Sequence, residues 1–291
     1  MSDSRLIWAI AANVLLTVAQ IVGGVISNSL ALIADALHNL NDATSLVLAL
    51  VARKIGRRPP DQMRTFGYRK APVVGALINL TTLIIVGLYL IYEAIMRFFE
   101  QPDVGGWIIV IVAGIALIVD IVTAVLTYTM SKESMNTKAA FVHNVSDALA
   151  SVGVIVAGTL IILFQWYWTD LVVTLAISGY ILYQGTTMIG GAIRVLMDSA
   201  PENFDLSRMV AHVKAIDRVR DIHHVHVWHL DEERVALEAH ILVDDNTTMS
   251  QVEEVKREIK ALLREHYHIE HATLEFEVSK ADEHDTRLLV G

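Results

Sequence analysis

Two short segments carry the same spacing of ionisable residues: "HNLND" at His38–Asp42 and "HNVSD" at His143–Asp147. Each sets a histidine four residues before an aspartate, inside a run of Leu, Ile, Val and Ala. On a helix, positions i and i+4 lie one turn apart on one face. Each segment can therefore aim an imidazole and a carboxylate at one point. Two such helices meeting face to face supply two nitrogens and two oxygens, the donor set of a closed tetrahedral site, which suits zinc. The chain has no cysteine, which excludes thiolate metal sites, disulfides and cysteine nucleophiles. Interhelical hydrogen bonding alone would account for the residue types but not for the repeated spacing. An aspartate at a bilayer centre costs roughly 2.5–3.5 kcal/mol even on a lenient scale. Metal-ligating histidines must be neutral and the aspartates ionised, so metal entry expels protons. A site opened to each side in turn would exchange metal for protons.

Other polar residues in apolar surroundings carry weaker signals. Asp120, in "IALIVDIVTAVL", is a lone carboxylate in mid-span, which needs a partner or a water path. It reads as a proton-relay group or an extra ligand. Asp35 falls near the start of a span and reads as a capping or entry residue. Glu93 and Arg97 are spaced for an i,i+4 ion pair.

The elements that must position these groups are membrane helices. The chain of 291 residues is 54% hydrophobic and 19% charged, too apolar for an ordinary soluble protein. A crossing helix needs about 20 mainly apolar residues. Six segments qualify: 6–27, 30–53, 72–97, 106–130, 139–163 and 168–193. The start, "MSDSRLIWAIAANVLL", reads as the first span rather than a removed signal. The loop between spans two and three holds Arg53, Lys54, Arg57, Arg58, Arg64, Arg69 and Lys70, and the loop between spans four and five holds Lys132 and Lys138. The alternate loops hold almost nothing basic, so both termini are expected in the cytoplasm.

At Pro201 the pattern changes. Residues 1–200 carry 12 acidic and 12 basic side chains; residues 201–291 carry 20 and 11, and so the whole net charge of −9. No basic patch suits a nucleic-acid partner. "SRMVAHVKAI" and "MSQVEEVKREIKALLREH" have helical period, while "DIHHVHVWHL", "RVALEAHILV" and "ATLEFEV" alternate as strands. The expected fold class is thus a membrane α-helical bundle of six transmembrane helices plus a small cytoplasmic α+β domain of order α-β-β-α-β. The expected division is 1–200 membrane domain, 201–281 cytoplasmic α+β domain and 282–291 tail. Ten of the twelve histidines follow residue 200. Alternation gathers His224, His226, Glu238, His240, Glu275 and Glu277 on one sheet face. That face reads either as a solvated acidic surface or as a regulatory metal site.

The runs "SNSLALIADALHNLNDATSLVLALVA", "RRPPDQMRTFGYRKAPVVGALIN", "EAIMRFFEQP" and "AAFVHNVSDALASVGVIVAG" together resemble the cation diffusion facilitator family, in its zinc-transporting branch. The resemblance covers roughly residues 6–280. It implies a homodimer with a metallochaperone-like cytoplasmic domain, a multi-pass protein of the bacterial inner membrane. It implies export of zinc from the cytoplasm in exchange for protons, with cadmium or cobalt following by similar charge and geometry. By the resemblance His38, Asp42, His143 and Asp147 form the transport site. By the same resemblance His223, His240, Glu275 and Glu277 form a cytoplasmic regulatory zinc site. Strand alternation, in contrast, turns His223 to the core. The chain departs from the family where it carries Asp120 in place of the usual asparagine. Asp61 stands in the loop that in some relatives holds a second metal site, yet that loop has no histidine here. The alternative from another class is a membrane-anchored zinc sensor that binds metal without moving it. An enzyme is disfavoured, since no phosphate-binding loop or nucleophile elbow is present.

Overall fold

A computed structural model describes residues 3–100, 102–130 and 135–278, with side-chain surroundings for 14–100, 102–125 and 141–278. Lys132, Lys138, His284 and the 282–291 tail fall outside those side chains. Six long helices come first: α1 Asp3–Ser27, α2 Leu30–Gly56, α3 Ala71–Glu100, α4 Gly106–Met130, α5 Met135–Phe164 and α6 Trp168–Leu196. At 1.5 Å per residue each is about 38–45 Å long, enough to cross a bilayer. Among the described residues α3, α6 and most of α4 and α5 are also apolar enough to span by composition alone. The polar cluster from Asp35 to Asp42 lowers α2 on that measure, and only part of α1 has described side chains. Leu15, Val25, Leu46, Leu50, Ile85, Ile118 and Leu163 are all exposed. Apolar surface on that scale requires lipid or a partner rather than water. The chain is a multi-pass membrane protein.

Two compact units divide the chain, Met1–Leu50 with Ile78–Ile189, and Val51–Leu77 with Gly190–Gly291. The first holds a core of Leu32, Leu83, Leu90, Ile109, Val154, Ile161 and Ile181 among others. Small residues let its helices close up. A Cβ on Gly158 of α5 would meet Ile109 Cγ2 of α4 at 2.9 Å, the near approach that glycine permits between membrane helices.

The second unit includes α7 Leu206–Lys214, β1 Val219–His229, β2 Val235–Val243, α8 Met249–Tyr267 and β3 Ile269–Glu277. The strand order is β1-β2-β3. β1 pairs antiparallel with β2, and β2 pairs parallel with β3 across the α8 crossover. Met209 and Val213 of α7 and Val255, Ile259 and Leu263 of α8 bury themselves against Val225, Leu237, Ala239 and Ile241. The helices thus cover one sheet face, as the α-β-β-α-β order requires. Asp205 caps α7 by accepting from Arg208 N at 2.9 Å. The loop before α3 is also built: Asp61 accepts from Tyr68 Oη at 2.6 Å and from Arg64 N at 2.8 Å. The Tyr68 hydroxyl and that N–H hold the Asp61 carboxyl below the usual carboxylate range.

Candidate metal centres

α2 and α5 bring all four intramembrane residues together. One donor atom from each of His38, Asp42, His143 and Asp147 lies within 4.8 Å of the other three. His38 Nε2 stands 3.7 Å from Asp42 Oδ2 and 3.4 Å from Asp147 Oδ1. His143 Nε2 stands 3.0 Å from Asp42 Oδ2 and 3.5 Å from Asp147 Oδ2. A tetrahedral zinc with ligands at about 2.0–2.1 Å holds its donors about 3.3–3.4 Å apart. The observed edges bracket that value. Octahedral magnesium would need six oxygens about 2.9 Å apart, and neither the number nor the imidazoles fit. Within this group both His38 ring nitrogens and Asp147 Oδ1 are buried without a hydrogen-bond partner. Orphaned buried polar atoms are costly; of these, His38 Nε2 and Asp147 Oδ1 face each other at 3.4 Å, a spacing that a shared metal ion would bridge. His38 and Asp147 form the buried half of the group. Asp42 and His143 are about a third exposed at their side chains.

Several groups fix this arrangement. Ser29 Oγ caps α2 by accepting from Leu32 N at 3.1 Å. Asp170 of α6 reaches the same helix end and accepts from Leu30 N at 2.8 Å and Ala31 N at 3.3 Å. A carboxylate on a helix N-terminus satisfies orphan N–H groups and complements the dipole. The sequence offers Asp35 as a capping or an entry residue. The structure gives the capping role to Asp170, because Asp35 lies inside α2 and bonds to Gln20 of α1 instead. The serine before an apolar helix start was a readable signal; a carboxylate 140 residues away was not. Asp120 of α4 accepts from Ser151 Oγ at 2.9 Å, and Ser151 follows Asp147 by one turn on α5. Tyr180 of α6 presents its ring at 6.3 Å from the His38 ring, edge to face. Glu93 and Arg97 form the expected pair at 2.9 Å. Arg97 also donates to Asn28 Oδ1 at 2.8 Å, at the turn before α2.

The second group lies on the open face of the β-sheet. Donor atoms of His223, His240 and Glu277 fall within 4.8 Å of one another. His240 Nδ1 is 2.7 Å from Glu277 Oε1, and His223 Nε2 is 3.4 Å from Glu277 Oε2. Both His223 ring nitrogens and Glu277 Oε2 are buried without a hydrogen-bond partner. Simple alternation would have turned His223 to the core. A bulge between His223 and His226 breaks the register, with His224 at φ 49°, and one extra residue re-aims a side chain. His223 therefore shares a face with its cross-strand neighbour His240. Glu275 sits apart: its carboxylate is 3.6 Å from His240 Nε2, it is largely exposed, and it is not one of the mutually close donors.

The comparisons with known proteins agree with this architecture. The family model for the cation efflux transmembrane domain matches residues 6–197, and that for the cation efflux protein cytoplasmic domain matches residues 201–278. The chain is 35% identical over 274 residues to a cadmium, cobalt and zinc/H(+)-K(+) antiporter of Bacillus subtilis, covering 94% of this chain and 88% of that protein. It is 34% identical to the metal cation efflux system protein CzcD of Cupriavidus metallidurans, over 92% of this chain and 84% of the relative. It is 31% identical to the zinc transporter ZitB of Escherichia coli, over 99% and 91% respectively. Six long helices carrying the four-donor group, the α-β-β-α-β unit and matches along both parts lead to one conclusion: the chain belongs to the cation efflux, or cation diffusion facilitator, family.

Proposed function

We propose that this protein exports Zn2+ from the cytoplasm in exchange for protons, with His38, Asp42, His143 and Asp147 as the cargo site. The observation that carries the reading is the convergence of two imidazoles and two carboxylates at tetrahedral spacing, two of them buried with unsatisfied atoms aimed at the gap. Two aspartates cancel the charge of a dication, and a donor set of imidazoles and carboxylates without sulfur suits zinc; cadmium or cobalt follow by similar charge and geometry. Protons and zinc compete for the same lone pairs. A site loaded from one side and emptied on a more acidic side therefore returns protons as it releases metal. Asp120, held by Ser151 one turn from Asp147, serves as a proton relay beside the site. The chain acts as a carrier and performs no chemical conversion.

The basic loop from Arg53 to Lys70 supports a cytoplasmic placement of both termini under the positive-inside rule. The membrane is the bacterial inner membrane. The division of labour is a membrane domain over 1–200 and a cytoplasmic domain over 201–281 that joins two copies. In that domain His223, His240 and Glu277, with Glu275 adjacent, bind cytoplasmic zinc as a regulatory ligand.

Zinc flux into proteoliposomes, with and without an imposed pH gradient, tests the exchange. The expected flux is saturable and grows with the gradient. Saturable flux indifferent to the gradient would remove the protons from the account. Stoichiometric zinc binding with no flux would leave a membrane-anchored sensor.

A further inference from the structure

One buried carboxylate near the cargo site is not among its donors. Asp35 lies on α2 three residues before His38 and is 1% exposed. Gln20 of α1, also buried, donates from Nε2 to Asp35 Oδ2 at 2.6 Å. The same carboxamide accepts at Oε1 from Asn39 Nδ2 at 3.1 Å. Asn39 directly follows His38, so a chain of amides ties Asp35 to the segment that presents a cargo ligand. In this arrangement Asn39 gives an N–H to Gln20, which turns its own NH2 toward the carboxyl group.

A neutral amide does not balance a buried anion, and an unbalanced buried carboxylate is costly. The titratable groups within electrostatic reach are His38 on the same helix, Asp120 from α4 and Asp147 from α5. Two of these are acids, which oppose a further negative charge. A dication among the four donors reverses the local sign. We propose that Asp35 is a proton-carrying residue of the exchange: it holds a proton between cargo ions and releases it when a dication occupies the site. This rests on the reading of the four-donor group as the cargo site. The step balances simply. The carboxylic O–H bond breaks, the proton leaves to water at the site, and the carboxylate helps neutralise the arriving metal. Metal release reverses it.

A structural link between α1 and α2 requires only an acceptor for Gln20, and asparagine at position 35 supplies one. Asparagine cannot carry a proton at that site. The test uses the full chain with His240→Ala and Glu277→Gln, so that the intramembrane donors remain the grouped set. Zinc is titrated in weakly buffered detergent solution, and protons released per bound zinc are counted with a pH indicator. Asp35→Asn is expected to bind zinc with unchanged stoichiometry and to release about one proton fewer per ion. An unchanged count would overturn the proposal. Loss of zinc binding in the parent itself would overturn the cargo-site reading instead. Should Asp35→Asn alone lose zinc, Gln20→Ala decides, since it keeps the carboxyl and removes its donor. A release profile displaced along the pH axis supports the proposal; one that superimposes on the parent's contradicts it.

Discussion

At the scale of single residues, the account rests on donor atoms whose spacing is set before any metal arrives. His38, Asp42, His143 and Asp147 have edges of 3.0–3.7 Å, so zinc should bind without large rearrangement. X-ray absorption on zinc-loaded protein lacking the cytoplasmic donors is expected to show four nitrogen or oxygen neighbours at about 2.0–2.1 Å. A shell of six at longer distance would contradict the tetrahedral reading. Replacing His38 by alanine removes a ligand outright. It should weaken zinc binding by more than the roughly 10–100-fold that losing a supporting hydrogen bond costs, as read by competition with a fluorescent chelator. These residues were legible in the sequence because a His-x-x-x-Asp spacing repeated in apolar runs has few other uses. Their supports were less legible. Gln20 and Asn39 are ordinary amides until α1 packs on α2, and only the bulge after His223 shows why its ring leaves the core.

At the scale of elements, the start of α2 is held from outside the helix. Asp170→Ala strips Leu30 N and Ala31 N of their acceptor, and each buried group left unpaired costs about 1–3 kcal/mol. Faster amide exchange is expected over the first turn of α2, together with weaker zinc binding; unchanged exchange there would show that Ser29 suffices. The turn between β1 and β2 offers a smaller, pH-dependent case. Burial works against ionisation of Asp231, but Arg234 donates to it twice, at 2.6 and 2.9 Å, and the N–H groups of Glu233 and Arg234 add two more bonds. The carboxyl group therefore falls below its ordinary value of 3.8. A depressed carboxylate stabilises the fold above that value and loses the contribution as pH falls through its lowered pKa. With both side chains still partly open to solvent, the contribution is about 1 kcal/mol or less. Arg234→Ala should raise the Asp231 titration midpoint in an NMR experiment, and an unmoved midpoint would assign the shift to the backbone donors alone. The order of elements was readable from periodicity, since apolar runs, alternating strands and the amphipathic α8 differ in repeat. Which carboxylate capped α2 was not, since contacts across the bundle leave no local mark.

At the scale of the whole molecule, a six-helix membrane part carries one group of metal-ligand spacing and an acidic α+β unit carries another. The family's cytoplasmic domain covers residues 201–278. Joining two copies through it predicts a particle of twice the chain mass by light scattering in detergent, and a single-chain mass would contradict the dimer. Composition marks a change of pattern at Pro201 through the shift in charge. The central claim is that zinc crosses at the α2–α5 donors. It is tested most directly by saturable zinc uptake into proteoliposomes, measured side by side for the unaltered chain and Asp147→Ala at matched protein incorporation. The account predicts uptake for the first and none above the protein-free background for the second. Undiminished uptake by Asp147→Ala would place the crossing elsewhere.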